Sequence, residues 1–459
     1  MRGSGDGWKR RLKKPRALRV GLISLGCPKN VVDAERLLGR FLEGGYEPTA
    51  NPEEADLLVV NTCGFKADAE AESREAILEM AALKAAHPGK RLVVTGCLAE
   101  RYGERLREEI PAIDLLAGTT GHDQVLGRLR IPITPMPAAD FTHASELAPR
   151  VLTTLPHTAY LKIAEGCNNP CTFCIIPRLR GPFRSRPLEE IVAEAEALAA
   201  GGVRELIVVS QDTTLYGRDL MPRLSLVDLL ARLERIRGIH WIRLMYLYPT
   251  LITDALLDHM AGSSRILPYF DLPLQHAHGE TLRRMRRAER PEDLYRLLER
   301  IRRRLPEAVL RAVFIVGFPG ESVEEFAALR AFVAESRFDH VGVFTYSDEP
   351  EAAAFHLTDK ISAPEAEARR EELMLLQQGI SREKLAGLVG QRLELLVDGV
   401  ESRPAPVSVG RTPGQAPEVD GITRVEGRPL LKPGTLLPVV ITGSRDYDLT
   451  ARIAGAPLR

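Results

Sequence analysis

The stretch Gly166–Cys174 reads GCNNPCTFC and follows a short β-like run, TAYLKIAE. Its three cysteines, Cys167, Cys171 and Cys174, stand in CxxxCxxC spacing within one loop. Three thiolates that close can wrap one face of an iron–sulfur cube and leave one iron open to a small molecule. Zinc, or a cluster held by four cysteines, needs a fourth ligand, and none is adjacent. A structural zinc site that borrows a distant His or Cys is the alternative. Zinc motifs more often pair cysteines as CxxC, and a strand end in an α/β barrel is a place for chemistry. Phe173, between the last two cysteines, is positioned to shield a cluster or stack on a ligand.

Outward from this loop, residues 151–386 alternate β-like and helical stretches. The β-like runs are TAYLKIAEG, ELIVVSQD, HWIRLMYLYP, YFDLPLQH, LRAVFIVGFPG and HVGVFTYSD. Six strands joined by crossover helices predict a partial (β/α)6 barrel, with its site at the C-terminal strand ends. Residues 18–130 show the same alternation on a smaller scale (LRVGLISL, DLLVVNT, RLVVTG) and predict an open parallel α/β sheet. Residues 131–150 are rich in Pro, Ala and small polar residues and read as a linker. Residues 387–455 hold short β-like runs separated by Gly and Pro, which predicts a small all-β barrel.

The other three of the six cysteines look isolated, but each follows an apolar strand-like run: GLISLGC ends at Cys27, LLVVNTC at Cys63 and LVVTGC at Cys97. In a parallel sheet these positions fall at one edge, where open α/β sheets bind ligands. The thiols are therefore expected to converge on a second cluster, again with an iron unclaimed by protein. Singly, each is an ordinary small buried residue, and counting alone leaves a four-plus-two division of the cysteines open.

The chain has 459 residues, too many for one core, and carries no formal net charge. That excludes a general polyanion binder without excluding local patches. No apolar run is long enough to span a bilayer, and the basic start MRGSGDGWKRRLKKPR lacks the apolar segment of a secretory signal. It reads as a solvated arm. Grouped cysteines fit a reducing cytoplasm, where disulfides are rare.

The cysteine loop resembles the signature of the radical S-adenosylmethionine (SAM) enzymes. A three-cysteine α/β domain, a CxxxCxxC barrel and a small β domain together resemble the methylthiotransferases of that superfamily, over nearly the whole chain. The resemblance implies two 4Fe–4S clusters, SAM, and a C-terminal TRAM domain that binds substrate. It also implies an electron donor and a sulfur source as partners. SLGCPKN, NTCGF, EGCNNPCTFCIIP, VSQDTT, MYLYP and DLPLQHA resemble the protein-modifying branch. That branch methylthiolates the β-carbon of an aspartate in small-subunit ribosomal protein twelve. The other branch modifies tRNA adenosines and is the alternative. The last domain interleaves acidic and basic residues to near neutrality, which suits a basic protein better than RNA, whose binding rests on phosphate contacts.

Weaker candidates lie at the remaining strand ends. Gln211, Asp212, Gln275 and Gly317 are expected near SAM, although turn capping or an ordinary βα turn would account for each. His276 belongs to the same group. The basic runs Leu282–Arg290 and Arg300–Pro306 read as solvated helix faces. No side chain is singled out as a catalytic acid, base or nucleophile.

Overall fold

The computed structural model describes residues 16–120, 122–129, 150–402, 405–427 and 429–454. The basic arm and nearly all of the linker lie outside the described residues. In the first region, β1 (Arg19–Ser24), β2 (Glu47–Pro48), β3 (Leu57–Thr62), β4 (Arg91–Gly96) and β5 (Leu115–Ala117) form one parallel sheet, ordered β2-β1-β3-β4-β5. β3 is buried at every position, and its run LLVVNT is mostly apolar, as a central strand covered on both faces requires. Leu57 and Val59 pack with Leu37 and Phe41 of α1 (Pro28–Glu43). Leu58 and Val60 face the other way, toward Ile77 and Met80 of α2 (Ala67–Ala86). The shorter helices α3 (Cys97–Tyr102), α4 (Glu104–Glu109) and α5 (His122–Arg128) complete this layer.

The second region opens with β6 (Thr158–Lys162). A two-stranded antiparallel pair, β7 (Ala164–Glu165) with β8 (Arg184–Ser185), brackets the cysteine loop and α6 (Ile176–Arg180). β9 (Glu205–Val209) and β10 (Trp241–Leu244) join β6 in one parallel trio. β11 (Tyr269–Gln275), β12 (Val309–Val316) and β13 (His340–Thr345) form another. Backbone bonds from Leu267 to Ile242 and from Leu247 to Asp271, each 2.9 Å, stitch the trios together. The result is the expected half-barrel. Its main apolar core lies between strands and crossover helices. β12 alternates buried and half-buried residues: Leu310, Ala312, Phe314 and Val316 face the helices, while Arg311, Val313 and Ile315 lie on the opposite, lumen face.

The last region is a closed barrel of β14 (Arg392–Glu401), β15 (Val407–Arg411), β16 (Thr423–Glu426), β17 (Leu436–Ser444) and β18 (Leu449–Ile453). It closes the N-terminal end of the half-barrel with charge. Arg411 is buried against Glu205 (2.6 Å) and Asp398 (2.7 Å). Arg243 holds the other oxygen of Glu205 at 2.9 Å and donates to the Pro413 carbonyl at 2.8 Å. Tyr269 donates to Asp420 at 2.7 Å. Among the described residues no helix is long and apolar enough to cross a membrane.

Removing one member of such a buried network strands its partners' charge. Arg411→Met is expected to weaken the fold by about 3–5 kcal/mol, because Asp398 and Glu205 lose a buried counter-ion. Arg411→Lys should recover only part, since one ammonium cannot serve both carboxylates with a planar fork. Denaturant midpoints of the three proteins check this, and equal midpoints would refute it.

Candidate active site between two cysteine triads

The N-terminal cysteines collect at the C-terminal edge of their sheet. Cys27 is the N-cap of α1, Cys63 follows the last residue of β3, and Cys97 opens α3 directly after β4. Parallel register brings these ends level, pairing Ser24 with Asn61 and Asn61 with Thr95. Gly26 lets the chains approach. Its φ is +93°, and a Cβ there would stand 2.7 Å from Cys63 Cβ and 3.0 Å from Cys63 Sγ. Both the left-handed backbone and the missing side chain are therefore required. Asn30 ties the loops together, donating at 2.9 Å to the carbonyls of Leu25 and Thr62. The Cys97 thiol lies 3.8 Å from Asn30 Oδ1.

Burial raises all three thiols, but not to the same outcome. At Cys27 it is outweighed by Lys29 and Arg180, with the backbone N–H groups of Asn30 and Lys29, and the thiol sits below its usual range. Cys63 stays raised by burial. Cys97 is pushed up to about 12 by burial, which Arg180 offsets only in part. The three thiols feel one another electrostatically, as members of one site do.

The CxxxCxxC loop is likewise supplied with donors. Backbone N–H groups of Asn169 and Ile176 point at Cys167 Sγ and Cys174 Sγ, each at 3.4 Å. Arg287 Nη1 stands 3.9 Å from Cys171 Sγ. Donors aimed at ligand sulfur are the usual means of tuning an iron–sulfur potential. Burial raises these three thiols as well, Cys174 to about 12. The donors are thiols, three to each loop set, the ligand type of an iron–sulfur cube.

One short helix serves both triads. The first residue of α6 carries the N–H aimed at Cys174, and its last residue is Arg180. The Arg180 guanidinium crosses to the N-terminal domain. It donates to Asp33 at 2.9 Å, to both oxygens of Glu165 at 3.0 Å, and to Asn30. Lys162 adds contacts to Asp33 and to Glu165, the latter at 2.7 Å. Along the helix, Ile175 and Leu179 pack on Cys97, and the Thr119 hydroxyl donates to the Leu179 carbonyl at 3.0 Å.

The weaker candidates divide. Gln211 donates to Glu165 at 2.7 Å, while its Oε1 is buried without a hydrogen-bond partner among the described residues. Asp212 accepts from Asn169 (3.0 Å) and Thr214 (2.7 Å), so it braces the cysteine loop. Phe173 lies beside Met285 and Phe318. Gln275 has φ +73° at the end of β11. Gly317 packs its open side at Ala366, where a Cβ would meet the Ala366 Cβ at 2.5 Å. His276 is buried against Glu321 at 3.2 Å. Within the basic run 282–290, Arg287 is not solvated: it is buried beside Cys171 and over the Tyr248 ring, 4.1 Å from its centroid. Sequence spacing gave no sign of this. The same holds for Arg180, six residues beyond Cys174, and for Lys29.

A CxxxCxxC loop at the head of a six-stranded parallel half-barrel defines a radical SAM enzyme, and residues 161–333 match the Radical SAM superfamily. Residues 19–118 match the uncharacterized protein family UPF0004, and residues 389–454 match the TRAM domain. The ribosomal protein uS12 methylthiotransferase RimO of Aquifex aeolicus is 48% identical over 435 residues, spanning 95% of this chain and 97% of that one. The RimO of Solibacter usitatus is 43% identical over 441 residues, 95% of each. Among solved structures, the radical SAM methyltransferase TsrM of Kitasatospora setae shares the fold. Its TM-score is 0.52 at 16% identity, over 85% of this chain and 80% of that one. The chain belongs to the RimO family of radical SAM methylthiotransferases. It is a sulfur-inserting enzyme that uses SAM and 4Fe–4S clusters.

After anaerobic reconstitution, about eight irons per chain are expected, as two cubes require. Replacing Cys27, Cys63 and Cys97 together by Ala should leave about four. Gly26→Ala should fall toward the same value, because its Cβ collides with Cys63. An iron count indifferent to the triple replacement would defeat the two-triad division.

Proposed function

We propose that this chain methylthiolates the β-carbon of an aspartate in ribosomal protein uS12. In this reading Cys27, Cys63 and Cys97 hold one cluster and Cys167, Cys171 and Cys174 hold the other. The observation that carries it is the meeting of both triads across α6, at the C-terminal end of the half-barrel. The relatives' shared designation as uS12 methylthiotransferases supports the substrate. When bound, the clusters and two SAM molecules supply a methyl group and a 5′-deoxyadenosyl radical able to take hydrogen from carbon.

The chain's own part is orientation and exclusion of water. Asp212 and the N–H groups of Asn169 and Ile176 fix the loop that would anchor the SAM-binding cluster. Gln211 offers its free carbonyl on the SAM side, with Phe173, Gln275 and Gly317 nearby in the loops. Arg180 and Lys162 hold the two domains in register. Two cations of the last domain, Arg411 and Arg424, are already engaged by carboxylates, which favours the protein branch over the tRNA branch. Arg411 is buried against Glu205 and Asp398, and Arg424 bonds Glu401 and Asp448, each at 2.7 Å. Phosphate contacts need free cations. An electron donor and a sulfur source complete the reaction, in the cytoplasm where ribosomes are made.

Intact-mass analysis of uS12 from cells with and without this gene checks the reading. The methylthio increment should vanish on deletion and return with the gene. Loss of a methylthioadenosine from tRNA, with uS12 unchanged, would transfer the assignment to the tRNA branch.

A further inference from the structure

Lys29, two residues past Cys27, is a buried lysine whose amine meets no carboxylate among the described residues. It is 5% exposed. Its ammonium stands 3.3 Å from the centroid of the Tyr246 ring and makes no hydrogen bond or ion pair among the described residues. A ring face compensates only part of the cost of taking a charge from water. The carboxylates that Lys29 senses, Asp271 and Glu165, are engaged elsewhere. Asp271 holds Arg311 at 2.8 Å and the Tyr246 N–H at 3.0 Å. Glu165 holds Lys162, Arg180 and Gln211.

The surroundings are built to hold it there. Tyr246 follows the C-terminal end of β10 with φ +60°, an uncommon backbone for an aromatic residue. The Asp271 carboxylate fixes that backbone through the Tyr246 N–H. Lys29 thus reaches from the first turn of α1, beside one cysteine triad, over the half-barrel mouth that the other triad serves. The lumen face below carries Arg311, Val313 and Ile315, each half-buried.

We propose that Lys29 binds the carboxylate of the substrate aspartate and so determines that an acidic side chain, rather than a neutral base, is modified. This rests on the functional reading above. The aspartate supplies the anion Lys29 lacks, and the charge-assisted bond sets its β-carbon between the two triads.

The test is a double-mutant cycle on reconstituted full-length enzyme, with binding of uS12 as the readout. The enzymes are unaltered, Lys29→Gln and Lys29→Arg. The ligands are uS12 and uS12 with the target Asp→Asn. The unaltered enzyme should prefer the aspartate form by about ten- to a hundredfold, the usual weight of a close buried charge pair. Lys29→Gln should bind both forms equally, and Lys29→Arg should keep the preference. Iron content and the visible cluster spectrum should match the unaltered enzyme in both variants. An undiminished preference in Lys29→Gln would overturn the proposal. So would loss of iron or an altered spectrum in that variant, because Lys29 would then be serving the cluster. Failure of the unaltered enzyme to modify uS12 would instead overturn the functional reading itself.

Discussion

Arg180 carries a positive charge that neither domain neutralises alone. Its guanidinium is buried between Asp33 and Asn30 of the N-terminal helix and Glu165 of the half-barrel. A buried guanidinium without its carboxylates is strongly destabilising, so the two regions are favoured together. Because Arg180 ends a helix of five residues that begins next to Cys174, the same bond sets the distance between the triads. Arg150 and Arg36 repeat the arrangement further out: Arg150 spans Glu35 and Glu194 (2.6 and 2.8 Å), and Arg36 reaches Glu194 at 2.7 Å.

Around this joint the two ends of the half-barrel are covered differently. The small barrel closes the N-terminal end of the strands with Arg411, Glu205 and Asp398. The main charges there are paired within that contact. At the opposite end the groups are incompletely satisfied. Gln211 keeps a carbonyl without a partner among the described residues, and Lys29 has an aromatic face in place of a carboxylate. Unpaired buried polar groups are costly, and they persist where ligands complete them.

The sequence made the fold classes legible through strong local signals. β3 and β4 are unbroken apolar runs, and β12 alternates as a lumen-lining strand does. The cysteine loop names its own chemistry by spacing. Boundaries inside the last domain were less clear: LLPVVITGSRDYDLTARI reads as one run, yet Arg445 turns back to the Asp448 carbonyl at 2.8 Å and makes two strands of it. Arg287 escaped a sequence reading because a cation within a basic run looks solvated until a tertiary contact buries it.

What the amino-acid sequence determined by itself is which residues can ligate and which strand ends carry them. Spacing within a loop, and repetition of strand followed by cysteine, are local properties. What only the tertiary structure decided is how distant segments meet. The crossing of Arg180 to Asp33, the crowding of Gly26 on Cys63, and the seat of Lys29 over Tyr246 join residues 37 to 217 positions apart. Such contacts form only when buried charge and close packing can be satisfied across domains, and no period in the chain announces them.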